Sequence, residues 1–212
     1  MNIAIFGAIG RIGSRIVDEA LSRGHAVTAV MRHPENYKIE NPHLKAARGD
    51  LFKTQDVESG VFAHDAVISA YNFTKGATPS TIVEITIPLL SGLKQAGVKR
   101  LIVVGGAGSL EVSPGVQLVD TPGFPEAYKP SALAHREALK IYEKEKELEW
   151  TVVSPAAEIV PGERTGVFRT GKDQLLTDEQ GRSHITMEDF AVAIIDELEN
   201  PKHIRERFTV GY

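Results

Sequence analysis

Three glycines, Gly7, Gly10 and Gly13, follow the apolar run Ile3-Ala4-Ile5-Phe6 and open onto a helical pattern. A strand that ends in a tight turn aims the free amide N–H groups of the next helix at one point, where their partial positive charge favours an anion. In that arrangement Gly7 makes the turn, Gly10 lets backbone reach phosphate oxygens, and Gly13 lets the helix pack close to the strand. The spacing alone would fit an ordinary glycine-rich turn. Its setting is what points to a dinucleotide pyrophosphate: an apolar strand before it, and after it a helix with Ile12, Ile16, Val17, Ala20 and Leu21 on one face, stopped at Gly24.

The residues after the second apolar run, His25 to Met31, bear on which dinucleotide is bound. NAD sites place a carboxylate there for the ribose 2′-hydroxyl, whereas NADP sites place a cation. This chain offers Arg32 and His33. Arg32 either pairs with a 2′-phosphate, helped by His33, or stacks on adenine or stays a solvated loop cation. The first reading makes NADP(H) the preferred cofactor, with NAD(H) as a second. The seven histidines show no metal-ligand spacing, and the absence of cysteine excludes disulfides, thiolate ligands and a cysteine nucleophile.

These residues need a scaffold that brings strand ends together. Buried-type β runs fall at residues 2–6, 25–31, 44–47, 66–70, 99–104 and 150–153, separated by helical patterns at 54–60, 80–96 and 131–147. Alternating strands and helices predict an α/β fold, a doubly wound parallel sheet of Rossmann type whose ligands bind beyond the carboxyl ends of the strands. The proline-rich segment 106–130 reads as a lid or substrate wall. Residues 154–212, with an expected hairpin at 168–176, a helix at 187–199 and a final strand at 208–210, read as a small C-terminal substrate-side cap on one domain spanning 1–212. The mixed charges from Glu143 to Glu147 read as a solvated helix face, and Lys202, His203, Arg205 and Arg207 as a solvated basic turn.

At 212 residues and a net charge of −4, with 24 basic and 28 acidic side chains, the chain has no general attraction for nucleic acid or an anionic membrane. No run reaches membrane-spanning length, and no signal peptide precedes the first strand. A cytoplasmic protein with a small-molecule partner is expected. Sheet edges and exposed helices leave room for a homodimer without selecting one.

Gly7-Ala8-Ile9-Gly10-Arg11-Ile12-Gly13, Gly49-Asp50, Gly105-Gly106-Ala107-Gly108-Ser109-Leu110, Val119-Asp120-Thr121-Pro122, Pro161-Gly162-Glu163-Arg164-Thr165-Gly166 and Phe208-Thr209-Val210-Gly211-Tyr212 carry a resemblance along the whole length. The chain resembles the atypical short-chain dehydrogenases provisionally named NADH-flavin reductases, and more distantly biliverdin reductase B and the NmrA-like proteins. The resemblance implies that residues 7–13 hold the pyrophosphate, Asp50 with Leu51 meets the adenine, Ser69, Ala70 and Tyr71 flank the adenosine ribose, and Gly105, Gly106 and Ala107 line the nicotinamide side. Ile9 stands where the family usually has threonine, which removes a hydroxyl from the turn but none of its backbone donors.

Ordinary short-chain dehydrogenases protonate the reduced carbonyl with the tyrosine of a Tyr-x-x-x-Lys pair. Tyr142 and Lys146 match the spacing but lie next to Trp150, at the far end of their helix, and read as surface residues. In the register where NmrA-like relatives carry the lysine stands His135, and four residues earlier, where the tyrosine would stand, Ser131. Hydride reduction of a ketone leaves an alkoxide that needs a placed acid. An isoalloxazine delocalises its charge and can take its proton from solvent, so orientation supplies most of the catalysis. A free flavin, or a similar planar, quinone-like acceptor, is therefore the expected substrate. Ser109 is the first candidate to touch nicotinamide or acceptor. His135 either bonds the nicotinamide ribose or acts as a weak acid, or is a helix histidine satisfied by backbone. Tyr71 and Phe73 are either an aromatic wall or loop anchors, and Glu163, Arg164 and Arg169 are candidates to set acceptor charge preference. An NmrA-like redox sensor that binds the dinucleotide without turnover is the alternative. A nucleotide-sugar epimerase would need a larger C-terminal domain.

Overall fold

The computed structural model describes every residue except 39, 73–77 and 79. In chain order its elements are β1 (Asn2–Phe6), α1 (Arg11–Ser22), β2 (Ala26–Met31), β3 (Leu44–Arg48), α2 (Thr54–Val61), β4 (Ala66–Ser69), α3 (Thr81–Ala96), β5 (Arg100–Val104), β6 (Glu111–Ser113) and β7 (Val116–Gln117). There follow α4 (Lys129–Tyr142), β8 (Glu149–Pro155), β9 (Glu158–Val160), β10 (Arg169–Gly171), β11 (His184–Thr186), α5 (Met187–Glu199) and β12 (Glu206–Gly211).

Eight strands form one sheet in the order β10-β12-β8-β5-β4-β1-β2-β3, parallel throughout except for the β10–β12 pair at one edge. Its central strands β1, β4 and β5 are buried on both sides because helices cover both faces. In β1, Ile3 and Ile5 join a core with Ile16 and Val17 of α1 and Phe190 and Ile194 of α5, while Ala4 and Phe6 join another with Val57 of α2, Leu89 and Leu93 of α3 and Leu139 of α4. The chain order reverses beside β1, whose neighbours are β2 and β4, and the crevice above that switch is where such sheets take their ligands.

Several expectations are corrected. α4 ends at Tyr142, five residues short of Glu147, because the chain turns there: Glu145 is buried, pairs with Lys94 at 3.1 Å and accepts the amide of Glu147. Tyr142 is not a surface residue but packs in the core near Trp150. No hairpin spans 168–176; β10 pairs with β12, and the following turn reaches Glu111, whose amide donates to the carbonyl of Asp173 at 2.7 Å. The segment 106–130 is not wholly irregular, since β6 and β7 make a short antiparallel hairpin within it. The basic turn near the C-terminal end is not simply solvated: Glu197, buried, accepts the His203 ring at 2.8 Å and Arg100 at 3.0 Å, and Arg207 is drawn inward. Residues 154–212 add β12 and β10 to the main sheet, besides the short β9–β11 ladder above it.

Candidate functional site: the crevice above the switch point

Gly7 leaves β1 with φ +77°, a conformation that favours glycine, and a Cβ there would lie 2.6 Å from the carbonyl oxygen of Ala70. A Cβ on Gly13 would fall 2.0 Å from the carbonyl oxygen of Gly7, so the close approach of α1 to the turn depends on that hydrogen. Gly10 is the N-cap of α1 and offers no side chain to its first amides; the first turn also carries no acidic residue. The amides at this helix start are thus left for an external anion. Ala8 is buried, Ile12 half-buried, and Ile9 and Arg11 are exposed around the mouth. A cradle that any Cβ would fill, below an uncapped helix start, fits a dinucleotide pyrophosphate.

Arg32 and His33 are exposed beyond β2. Tyr71, half-buried beyond β4, has its hydroxyl pushed up by burial, while the charges of Arg32 and Asp50 act on it in opposite directions. Those three side chains therefore share one neighbourhood. Asp50 holds its own loop by accepting the amide of Phe52 at 3.1 Å, and Leu51, Ser69 and Ala70 are buried behind it. Phe73 lies outside the described residues.

At the far side of the crevice, Gly105, Gly106 and Ala107 leave β5 half-buried, with the Gly105 amide bound to Val153. A Cβ on Gly106 would stand 3.2 Å from that of His135, so the imidazole is seated directly against this turn. Burial pushes the His135 imidazole down to about 4, which keeps it neutral at pH 7 although part of its surface stays accessible. Behind it, Ser69, Tyr71, Ile85, Tyr142 and Val152 help to enclose a cavity of about 20 Å³, room for about one water molecule. Tyr142 lies two helical turns beyond His135 on the same face of α4, and burial raises its hydroxyl to about 12, with Thr86 as the polar neighbour opposing that shift. The sequence places this tyrosine on the surface because of its distance from the mouth; the seven-residue spacing from His135 was the available signal for its burial.

Ser109 is buried, and its hydroxyl accepts Arg207 at 2.7 Å; Arg207 also donates to Asp173 at 3.0 Å. The structure therefore ties the Ser109 hydroxyl oxygen, as an acceptor, to Arg207 of β12. Arg164 is likewise engaged, making two bonds to the buried Glu19 at 2.7 and 2.8 Å, and Arg169 is bound to the carbonyls of Thr177 and Tyr212. Glu163 contributes its carbonyl to Thr186.

Asp189 organises this side and was also overlooked. Fully buried in the first turn of α5, it accepts the amides of Thr165 and Gly166 at 2.8 and 2.7 Å, the Thr165 hydroxyl at 2.5 Å and the Tyr212 hydroxyl at 2.6 Å. Burial pushes its carboxyl up, and those hydrogen bonds outweigh burial and hold it below the usual carboxylate range. The Thr186 side chain caps the same helix by accepting the Asp189 amide, a Thr-x-x-Asp pattern readable in the sequence. Among the described residues, no group of histidine, aspartate or glutamate side chains has the arrangement of a metal site, and no helix is long and apolar enough to cross a membrane.

The NAD(P)H-binding family matches residues 7–201. The chain is 41% identical over 216 residues to YwnB, an uncharacterized protein of Bacillus subtilis, covering 99% of this chain and 98% of that one. Among solved structures, it is 49% identical to a Burkholderia pseudomallei protein provisionally described as exported, with a TM-score of 0.92 and both chains covered in full. A Streptococcus pneumoniae protein provisionally described as an NADH-flavin reductase is 35% identical with a TM-score of 0.84, over 100% of this chain and 99% of that one. With the match running through nearly the whole chain, this protein belongs to the NAD(P)H-binding family and has its Rossmann fold.

Proposed function

We propose that the protein is an NADPH-preferring reductase that passes hydride to a free flavin or a similar planar acceptor, which binds as substrate. The observation that carries this reading is the neutral, desolvated His135 seated against the Gly105–Gly106 turn, with Ser131 in place of a tyrosine. When bound, the nicotinamide supplies the hydride. The chain's own residues hold and orient: the α1 amides and glycine turn take the pyrophosphate, Arg32 and His33 the adenosine end, and Gly105 to Ala107 with His135 the reacting end. His135 acts there as a hydrogen-bonding group and not as a cationic acid, which suits an acceptor whose charge is delocalised and whose proton comes from water. Ser109 acts through Arg207, fixing the 106–110 turn that forms the wall of the site.

The charges of the cap point the same way. Arg164, Arg169 and Arg207 are engaged within the protein, which leaves shape and stacking to select an acceptor. The Streptococcus pneumoniae relative's description agrees with this substrate class. We place the protein in the cytoplasm, an assignment that fractionation of the native host would check.

The test is nicotinamide oxidation by purified protein at matched NADPH and NADH, with and without FMN, against a protein-free blank. Flavin-dependent turnover that is faster with NADPH supports the proposal. Tight NADPH binding without turnover across flavins and quinones would replace it with a dinucleotide sensor.

A further inference from the structure

Arg48 closes β3 in register with Met31, the last residue of β2, and the Gly49 amide donates to the Met31 carbonyl at 3.0 Å. Residues 31–33 and 48–50 therefore leave the sheet side by side. Three basic side chains emerge there: Arg32, exposed and, among the described residues, without a hydrogen bond or ion pair; His33, 71% exposed; and Arg48, 71% exposed. Asp50 lies in the same neighbourhood and accepts the amide of Phe52 at 3.1 Å, whereas Glu35 is the carboxylate that faces the basic groups. Glu35 has one oxygen 3.3 Å from His33 Nδ1 and the other 3.8 Å from Arg48 Nη2.

We propose that Glu35 is a built-in counter-ion standing in for the 2′-phosphate of NADPH, and that Arg48, released when the phosphate arrives, joins Arg32 as a second determinant of dinucleotide choice. The proposal deepens the NADPH preference given above and rests on it. Its physical basis is a difference in strength. An exposed ion pair at 3.3–3.8 Å is weak, because water and salt screen it and two long side chains must be held still. A phosphate carries more charge and three acceptor oxygens, and a guanidinium can meet it with two parallel bonds. The exchange of Glu35 for phosphate on Arg48 is thus downhill, whereas two arginines facing an empty site with no anion would repel. NADH has a hydroxyl at that position and nothing to displace a carboxylate with. Glu35 then stays in place and can accept a hydrogen bond from that hydroxyl, so the same cluster tolerates NADH while favouring NADPH.

The experiment is calorimetric titration of the full-length protein, without acceptor, with NADPH, NADH, 2′,5′-ADP and 5′-AMP. Arg48→Ala should weaken NADPH and 2′,5′-ADP by about tenfold and leave NADH and 5′-AMP within about twofold. Glu35→Gln should tighten NADPH by about threefold without tightening NADH. Arg48→Lys, which keeps the charge but loses the fork, should fall between wild type and Arg48→Ala. Unchanged thermal melts would show that the variants fold. If Arg48→Ala weakens both nucleotides equally, or neither, the inference is overturned; the same holds if Glu35→Gln weakens NADPH. Arg32→Ala separates the two levels: if it lowers the NADPH-to-NADH affinity ratio while Arg48→Ala does not, the NADPH reading stands and this inference alone fails. If neither variant changes the ratio, both fail.

Discussion

The two sides of the crevice are built by opposite means. On the nucleotide side, the binding surface is backbone: an uncapped helix start, a glycine turn at φ +77°, and charged side chains such as Arg32 left exposed. On the opposite side, where we propose that the acceptor binds, charged side chains are consumed internally. Arg164 is bound to Glu19, Arg207 to Ser109 and Asp173, and the buried Asp189 gathers Thr165, Gly166 and Tyr212. In the proposed reading, a site for a fixed, anionic ligand keeps donors free, whereas a site for a flat acceptor needs walls, which ion pairs and hydrogen bonds hold here.

The sharpest way to break this comparison is at Gly13. An added methyl would meet the Gly7 carbonyl oxygen at 2.0 Å, and backbone cannot step aside as a side chain can. Gly13→Ala should weaken NADPH at least about a hundredfold, read by titration, with a lower melting temperature. Retained affinity would mean that the cradle is not the anchor of the site. On the other side, Asp189→Asn puts an amide NH₂ against groups that already donate, and should cost roughly 2–3 kcal/mol in chemical denaturation while altering acceptor KM more than NADPH affinity. Because the folded carboxyl titrates below its unfolded value, the stability it contributes is present above the ordinary carboxylate range and is lost as the pH falls through the folded value.

His135 lies where the two sides meet, and its expected effect is smaller. His135→Ala should lower turnover about tenfold with NADPH affinity nearly unchanged. Its depressed titration also makes a stability prediction. Between about 6.5 and about 4 the unfolded chain takes up the proton that the folded imidazole refuses, so this residue makes the protein less stable as the pH falls through that window. His135→Gln should flatten that part of the pH–stability curve, measured by urea denaturation. The smallest effect is expected at Arg164. It is 53% exposed, and Glu19 keeps Arg23 as a second partner, so Arg164→Ala should cost ~1 kcal/mol or less and leave NADPH affinity unchanged. A large loss of NADPH binding in that variant would show that the cap and the nucleotide helix act as one unit.

What the sequence determined by itself was everything carried by local pattern. The glycine spacing after an apolar strand, the 3.6-residue stripe of α1 and the alternation of buried strands with helices are short-range signals, and they sufficed for the parallel sheet, the tight glycine turn into α1 and α5 at 187–199. Tertiary structure decided whatever depends on partners distant along the chain. Tyr142 is buried because α3 covers it, and Glu145 because Lys94 reaches it from 51 residues away. Ser109 Oγ accepts Arg207 from 98 residues away, and Asp189 becomes a hub only when Thr165 and Tyr212 converge on it. Periodicity records which face of an element is apolar. It does not record which charge from another element will arrive there, and around Ser109 and Asp189 those arrivals decide which side chains remain free for chemistry.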